Sequence, residues 1–193
     1  MNFERRNTAL RCFWVNLNNK LYVDYHDNEW GVPLHDDGKL FELLILECFQ
    51  AGLSWECVLN KRSAFRRAFD GFDITKVSMY GNEKIAELAK DASIIRHRLK
   101  IEAAVTNAKV FLSIQQQYGS FDKYIWSFTD GKVLFEPCDT QTTSPLSDKI
   151  SKDLRRRGMR FTGSTVIYSF FQAAGIINGH QKNCDFLNRS NTL

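Results

Sequence analysis

No apolar run in the 193-residue chain approaches the length of a membrane span, which excludes a helical membrane protein. The start, residues 1–11, mixes charge and polarity and lacks the apolar core of a secretory signal, so a cytoplasmic location is expected. A disulfide framework is missing as well. Five cysteines are an odd number in a chain long enough to need no staples, so a reducing compartment is expected. Cys48, Cys57 and Cys138 then read as ordinary small buried residues. Strong charge of either sign is absent; a net charge of +4 permits a polyanionic partner without demanding one. Strand signals are scarce, and no internal repeat or low-complexity tract appears. What is present is 44% hydrophobic and 13% aromatic residues, enough to fill the core of one domain spanning 1–193.

Helical periodicity dominates, and an all-α fold is expected. Residues 39–50 carry apolar side chains at 40, 43, 44 and 48, with Asp36 and Asp37 supplying capping acid upstream and Gly52 a stop. Ser54 caps a helix to about Phe69. Asn82 opens a short one over 84–90, and 96–118 carries a long one with Ile101, Val105, Ala108 and Leu112 on one face. Helices over 149–157 and 164–177 complete the set, and the stretch 129–145 reads as a polar connector.

Three constellations carry chemistry. Cys12, His26, His180 and Cys184 offer four ligands of the type that zinc prefers, one pair at each end of the chain. The short His-x3-Cys spacing suits a metal, but Cys-x13-His does not resemble a finger. From spacing alone, two core cysteines and two unrelated histidines are the better account of these residues.

The second constellation surrounds Glu47. It falls i+3 from Leu44, i+4 from Leu43 and i+7 from Leu40, so a carboxylate sits on an apolar stripe, either paired, protonated or facing a pocket, or at the stripe's boundary with its head in water. Leu53 stands at the tip of the following turn, where a bulky apolar residue has little to pack on, and Trp55 begins the next helix. Tyr22, Tyr25 and His26 share a face if their segment is helical. These residues suit a stacking pocket; alternatively Trp14, Tyr22, Tyr25 and Trp30 form a satellite aromatic core.

The third is basic. Lys149, Lys152, Arg155, Arg156, Arg157 and Arg160 face only Asp148 and Asp153 in sequence. They lead into Gly158-Met-Arg-Phe-Thr-Gly163 and then Ser164-Thr165 at the start of an apolar helix. A helix, a glycine-bounded hairpin and a second helix make a helix-hairpin-helix arrangement, whose backbone N–H groups can bind a DNA phosphate.

The tracts 25–33 (YHDNEWGVP), Leu46-Glu47, 50–55 (QAGLSW), 94–98 (IIRHR), 157–163 (RGMRFTG), Tyr168-Ser and Gln172-Ala-x-Gly175 resemble the constitutive bacterial 3-methyladenine DNA glycosylase family of the helix-hairpin-helix superfamily. The resemblance covers roughly residues 11–184. It implies a core over about 70–165, a clasp from about 11–35 and 176–185 closed by one structural Zn2+ on Cys12, His26, His180 and Cys184, and a tail over 186–193. It assigns Glu47 as the base-recognising acid, with Trp14, Tyr22, Tyr25 and Trp55 as pocket rings and Leu53 as the side chain entering the duplex. Gly158, Arg160, Gly163, Ser164 and Thr165 are expected to contact DNA. Partners would be double-stranded alkylated DNA and free 3-methyladenine as product, with the protein acting as a monomer.

Two departures stand out: Cys48 in place of a smaller residue, expected to narrow the pocket wall, and a longer Cys12–His26 interval. Ser164, Thr165 and Val166 after the hairpin leave no Schiff-base lysine, and residues 170–179 hold no acid, so monofunctional hydrolysis of a destabilised cationic base is implied. A zinc hydrolase would need an open metal position. A non-catalytic lesion-sensing module would need neither Glu47 nor the rings.

Overall fold

Nine α-helices, two single-turn 3-10 helices (Asp70–Phe72 and Ser127–Thr129) and one short strand pair form the described part of the chain, residues 9–136 and 141–188 of a computed structural model. Cys138 and residues 189–193 of the tail lie outside it. The helices are α1 (Lys20–Asn28), α2 (Asp37–Gln50), α3 (Trp55–Ala68), α4 (Ile74–Ser78), α5 (Asn82–Leu88), α6 (Arg98–Tyr118), α7 (Phe121–Trp126), α8 (Pro145–Arg156) and α9 (Ser164–Ala173). Ten consecutive residues of α2, Leu40 to Phe49, are buried, so this helix is the axis on which the others pack. The core is strongly aromatic: Phe41, Phe49, Phe65, Phe69, Phe72, Phe111 and Phe121 are all essentially inaccessible. The ring of Phe111 stacks on Phe121 at 4.0 Å.

Local chemistry explains the boundaries. Asp36 caps α2 by accepting from the Lys39 N–H at 2.8 Å, as expected. Asp37 instead reaches across to the start of α7, accepting from the N–H groups of Phe121 and Asp122 at 2.9 and 2.8 Å. Ser54 caps α3, and His97 caps α6. Pro145 at the first turn of α8 follows a reciprocal Ser144–Ser147 capping box, so α8 begins four residues before the charge pattern suggests.

Two expectations require correction. The last helix does not run to Ile177; it ends at Ala173, and Gly175 takes φ +68°. A Cβ at Gly175 would lie 2.3 Å from the Val32 carbonyl carbon, so apolar periodicity continues where the backbone cannot remain helical. Residues 177–178 (β2) then pair in parallel with Leu134–Phe135 (β1), inside the stretch expected to be only a connector. Two residues per strand carry too little alternation to be read from sequence. The short helices α4 and α7 escaped periodicity for the same reason.

Candidate active site

Asn19 begins the site. Its side chain caps α1, accepting from Leu21 N–H, and its amide donates to Glu56 and Asn60 of α3 at 2.8 and 2.9 Å. This fixes α1 across α3, so Tyr25 faces Trp55, their rings 5.3 Å apart. Arg62 of α3 completes the brace, forking onto both oxygens of Glu29 at 2.7 Å and donating to Glu42 of α2 at 2.6 Å.

Between α1, α2, α3 and α9 these elements leave a cavity of about 180 Å³. Voids on the order of 150 Å³ admit a benzene ring, so one flat heteroaromatic base fits the scale. Its wall contains Trp14, Tyr22, Tyr25, Glu47 and Trp55, the five residues expected from sequence. Trp30, Gln50, Ser169 and Gln172 also line it. The motif tracts already contained Trp30, Gln50, Ser169 and Gln172, but no pattern assigned them a role in the pocket. Trp14 tilts against Tyr22 at 5.3 Å and meets Trp30 edge-on at 4.8 Å.

Glu47 is 3% exposed, and its Oε2 has no hydrogen-bond partner. Burial alone pushes its carboxyl up to about 8. Trp55 Nε1 is likewise buried without a partner. Two orphaned polar atoms on one cavity wall mark a place where a ligand supplies the missing hydrogen bonds. Burial, then Glu56 and Glu47, pushes the Tyr22 phenol up to about 12, and burial, then Glu47, also raises Tyr25 well above the ordinary phenol value. Both phenols therefore stay neutral donors at physiological pH.

Cys48 does not narrow this wall. One residue on from Glu47 along α2, it turns away from the cavity, toward Asn107 of α6 and the Arg160 carbonyl. Cys57 is half-buried rather than buried and lines a surface groove with Leu53 and residues 94–97.

Residues 10–13 and 181–185 meet behind the pocket. Asp185 N–H donates to the Leu10 carbonyl at 3.0 Å, and Phe13 N–H donates to Gln181 at 3.0 Å. Cys12, His26 and Cys184 are buried, with ligating atoms within 4.8 Å of one another. Tetrahedral zinc with thiolate and imidazole ligands sets such atoms about 3.5–4 Å apart, and Cys184 Sγ lies 3.6 Å from His26 Nε2. His26 Nδ1 bonds Asp27 at 2.9 Å, and Arg11 forks onto Asp27 at 2.8 and 2.7 Å, which turns Nε2 toward the thiols. Hydrogen bonding from Cys12, and then from His26, holds the Cys184 thiol down to about 4 against burial. His180 stands beside these three rather than within the 4.8 Å cluster; its ring is 5.1 Å from that of His26, and its Nδ1 bonds Asn178 at 3.0 Å. The donor set fits zinc. Trp14 and Trp30 pack on His26 and His180 at 5.3 and 4.6 Å, so the clasp and the pocket share a wall. Asp27 carried no sequence signal, because an aspartate orienting a histidine has no fixed spacing.

On the outer side, Leu53 is 42% exposed at the α2–α3 turn. Residues 157–163 join α8 to α9. Gly158 (φ +105°) makes the turn, whereas Gly163 has ordinary backbone angles and open space at its Cβ. Phe161, not a second glycine, takes the other left-handed position (φ +56°). Arg160 and Thr165 are exposed and Ser164 half-buried, its hydroxyl 2.7 Å from Ser147 of α8.

A methyladenine glycosylase family model matches residues 14–188. The chain belongs to that family. Members share its length and shape closely: the DNA-3-methyladenine glycosylase 1 of Escherichia coli (strain K12) is 44% identical over 178 residues, 90% of this chain and 95% of its own. A crystal structure of 3-methyladenine DNA glycosylase I superposes with TM-score 0.87 at 43% identity, covering 91% of this chain and 98% of that one. A variant of 3-methyladenine DNA glycosylase I, solved in complex with 3-methyladenine, superposes with TM-score 0.84 at 38% identity, covering 87% and 92%. The mostly helical architecture fits the all-α DNA glycosylase fold of these proteins.

Proposed function

We propose that this protein is a monofunctional DNA glycosylase that hydrolyses the N-glycosidic bond of 3-methyladenine in alkylated DNA and leaves an abasic site. The observation that carries the reading is the unpartnered Glu47 carboxylate in a ring-lined cavity of base size. The relatives' names and the bound 3-methyladenine of one of them support the same substrate.

The chemistry follows from the charge. Methylation at N3 makes the adenine a cation with a weakened glycosidic bond, so the base departs neutral and needs little acid assistance. The protein's task is to extrude the base, at a cost of a few kcal/mol, and hold it. Trp14, Tyr22, Tyr25 and Trp55 offer π-faces, each contributing about 0.5–2 kcal/mol toward a cation. Glu47 accepts from the exocyclic amine, and the incoming positive charge favours its ionised form, so the proton that burial retains passes to water as the base enters. The Schiff-base lysine is missing, since Ser164, Thr165 and Val166 follow the turn. Water is therefore the acceptor of the sugar.

Leu53 fills the space that the base vacates. The 145–173 segment acts as a helix-hairpin-helix element in which Gly158, Arg160, Gly163, Ser164 and Thr165 meet phosphates through backbone N–H groups and positive charge. Cys12, His26 and Cys184, with His180 as the fourth ligand, would hold one structural zinc, which would close the clasp. The protein works as a monomer, as one globular unit in a reducing cytoplasm.

Incubation with methylated duplex DNA, followed by chromatography of released bases, tests this. Free 3-methyladenine should dominate, with little 7-methylguanine and no strand cleavage until base or an endonuclease is added. Equal release of 7-methylguanine or hypoxanthine would overturn the pocket assignment. Glu47→Gln should lower excision at least 100-fold in a folded protein.

A further inference from the structure

Helix α6 crosses behind both outer features, the Leu53 turn and the 157–163 turn, and touches each through a buried polar side chain. Lys100 is 6% exposed, and its Nζ donates to the carbonyls of Phe49 and Ala51 at 2.8 and 2.6 Å. Those carbonyls belong to the end of α2, where the chain leaves for Gly52 and Leu53, and α2 has no basic residue of its own in its last turn. Lys100 thus supplies from another helix the cap that the end of α2 lacks.

Seven residues along, two turns and about 10 Å away on the same face of α6, Asn107 is fully buried. Its carbonyl accepts from Arg160 N–H at 2.8 Å, and its amide donates to Arg160 C=O at 2.9 Å. This two-point grip holds the residue before Phe161, whose positive φ is costly for a bulky side chain. The Phe161 ring lies 6.0 Å beneath Lys100 Nζ and 6.2 Å from the ring of His97. Neither Lys100 nor Asn107 lines the base cavity.

We propose that Lys100 and Asn107 are positioning residues: through them α6 sets the spacing between the side chain that enters the duplex and the turn that grips the phosphate backbone. Both outer features must meet one duplex at once. A fixed separation therefore determines whether Leu53 arrives at the step from which the base has left. Covalent connection does not fix it, because more than a hundred residues lie between Leu53 and Arg160. Two long-range polar grips on one rigid helix do. The inference rests on the DNA-facing roles of Leu53 and the 157–163 turn.

The test compares two affinities in Lys100→Met and Asn107→Leu. One is for free 3-methyladenine, read by tryptophan fluorescence; the other is for a duplex carrying a tetrahydrofuran abasic-site analogue, read by anisotropy. Single-turnover excision is measured alongside, and thermal melting confirms the fold. We expect duplex affinity and excision to fall at least tenfold, free-base affinity to stay within twofold, and Lys100→Arg to recover most of the loss. Duplex affinity and excision within twofold of wild type would overturn the proposal. So would free-base and duplex affinities falling in equal proportion, since that is what general loosening of the fold produces. Should Asn107→Leu not fold, Asn107→Asp, which keeps the acceptor for Arg160 N–H and removes the donor, is judged by the same limits. Leu53→Ala is the control: if it leaves duplex affinity unchanged, the DNA-facing assignment itself fails, a result distinct from failure of the α6 variants alone.

Discussion

Glu47 concentrates the cost and the use of the site in one side chain. Its carboxyl, near 4.5 when unfolded, is pushed up to about 8 by burial in the folded protein. Between those values the folded state holds a proton that the unfolded state has released, so stability falls as pH rises through the window and levels off above about 8. Glu47→Gln removes the penalty. Melting of both proteins from pH 5 to 8 should show the variant gaining relative stability with a slope of up to about 1.4 kcal/mol per pH unit. A constant gap would mean that Glu47 is already ionised in the folded protein. Activity should move the opposite way. A fixed cation binds the ionised carboxylate better, so kcat/KM of the wild type rises with pH toward about 8 and then flattens. A flat profile from pH 6 to 9 would contradict the role of Glu47. The acid was legible in sequence because a carboxylate on an apolar stripe breaks a strong pattern. Asn107 and Lys100 break no pattern, since each finds its partner through the fold rather than at a fixed spacing.

At the scale of elements, the long helices announced themselves, and the joints between them did not. Periodicity places α2, α3 and α6 within a residue or two of their observed ends, and the side chains of Asp36 and Ser54 do what capping residues do. It overruns at α9, where the decision is steric rather than apolar. The Gly175 backbone lies against Val32 and Pro33, and the Leu34 N–H donates to the Ala174 carbonyl at 3.1 Å. This junction seats Trp30 and Gln172 in the pocket wall. Gly175→Ala adds a methyl group that meets backbone atoms at a positive φ, so it should destabilise the fold by at least about 2 kcal/mol in urea melts. An unchanged midpoint would show that residues 32–33 can withdraw, and the packing argument would fail.

For the molecule as a whole, the clasp joins residues 10–26 to 180–185 and backs the pocket. A zinc held as proposed would stabilise the folded state by mass action, because the unfolded chain presents no assembled site. Cys184→Ser should therefore release zinc, read by metal analysis, and lower the melting temperature. Excision per folded molecule should persist within about threefold below that temperature. Full stability without zinc would contradict a structural role. Selective loss of turnover at unchanged stability would point to a catalytic one.

The sequence by itself determined the helical class, the acid, the rings and the residues capable of binding metal, because these depend on residue type and local period. Only the tertiary structure decided which of them meet. It turned Cys48 away from the pocket and set His180 beside the Cys12–His26–Cys184 cluster. It also gave the second left-handed position of the turn to Phe161, and used Lys100 and Asn107 to tie two distant turns to one helix. Such contacts join residues tens to more than a hundred positions apart, and only the packed core sets the direction in which each side chain points.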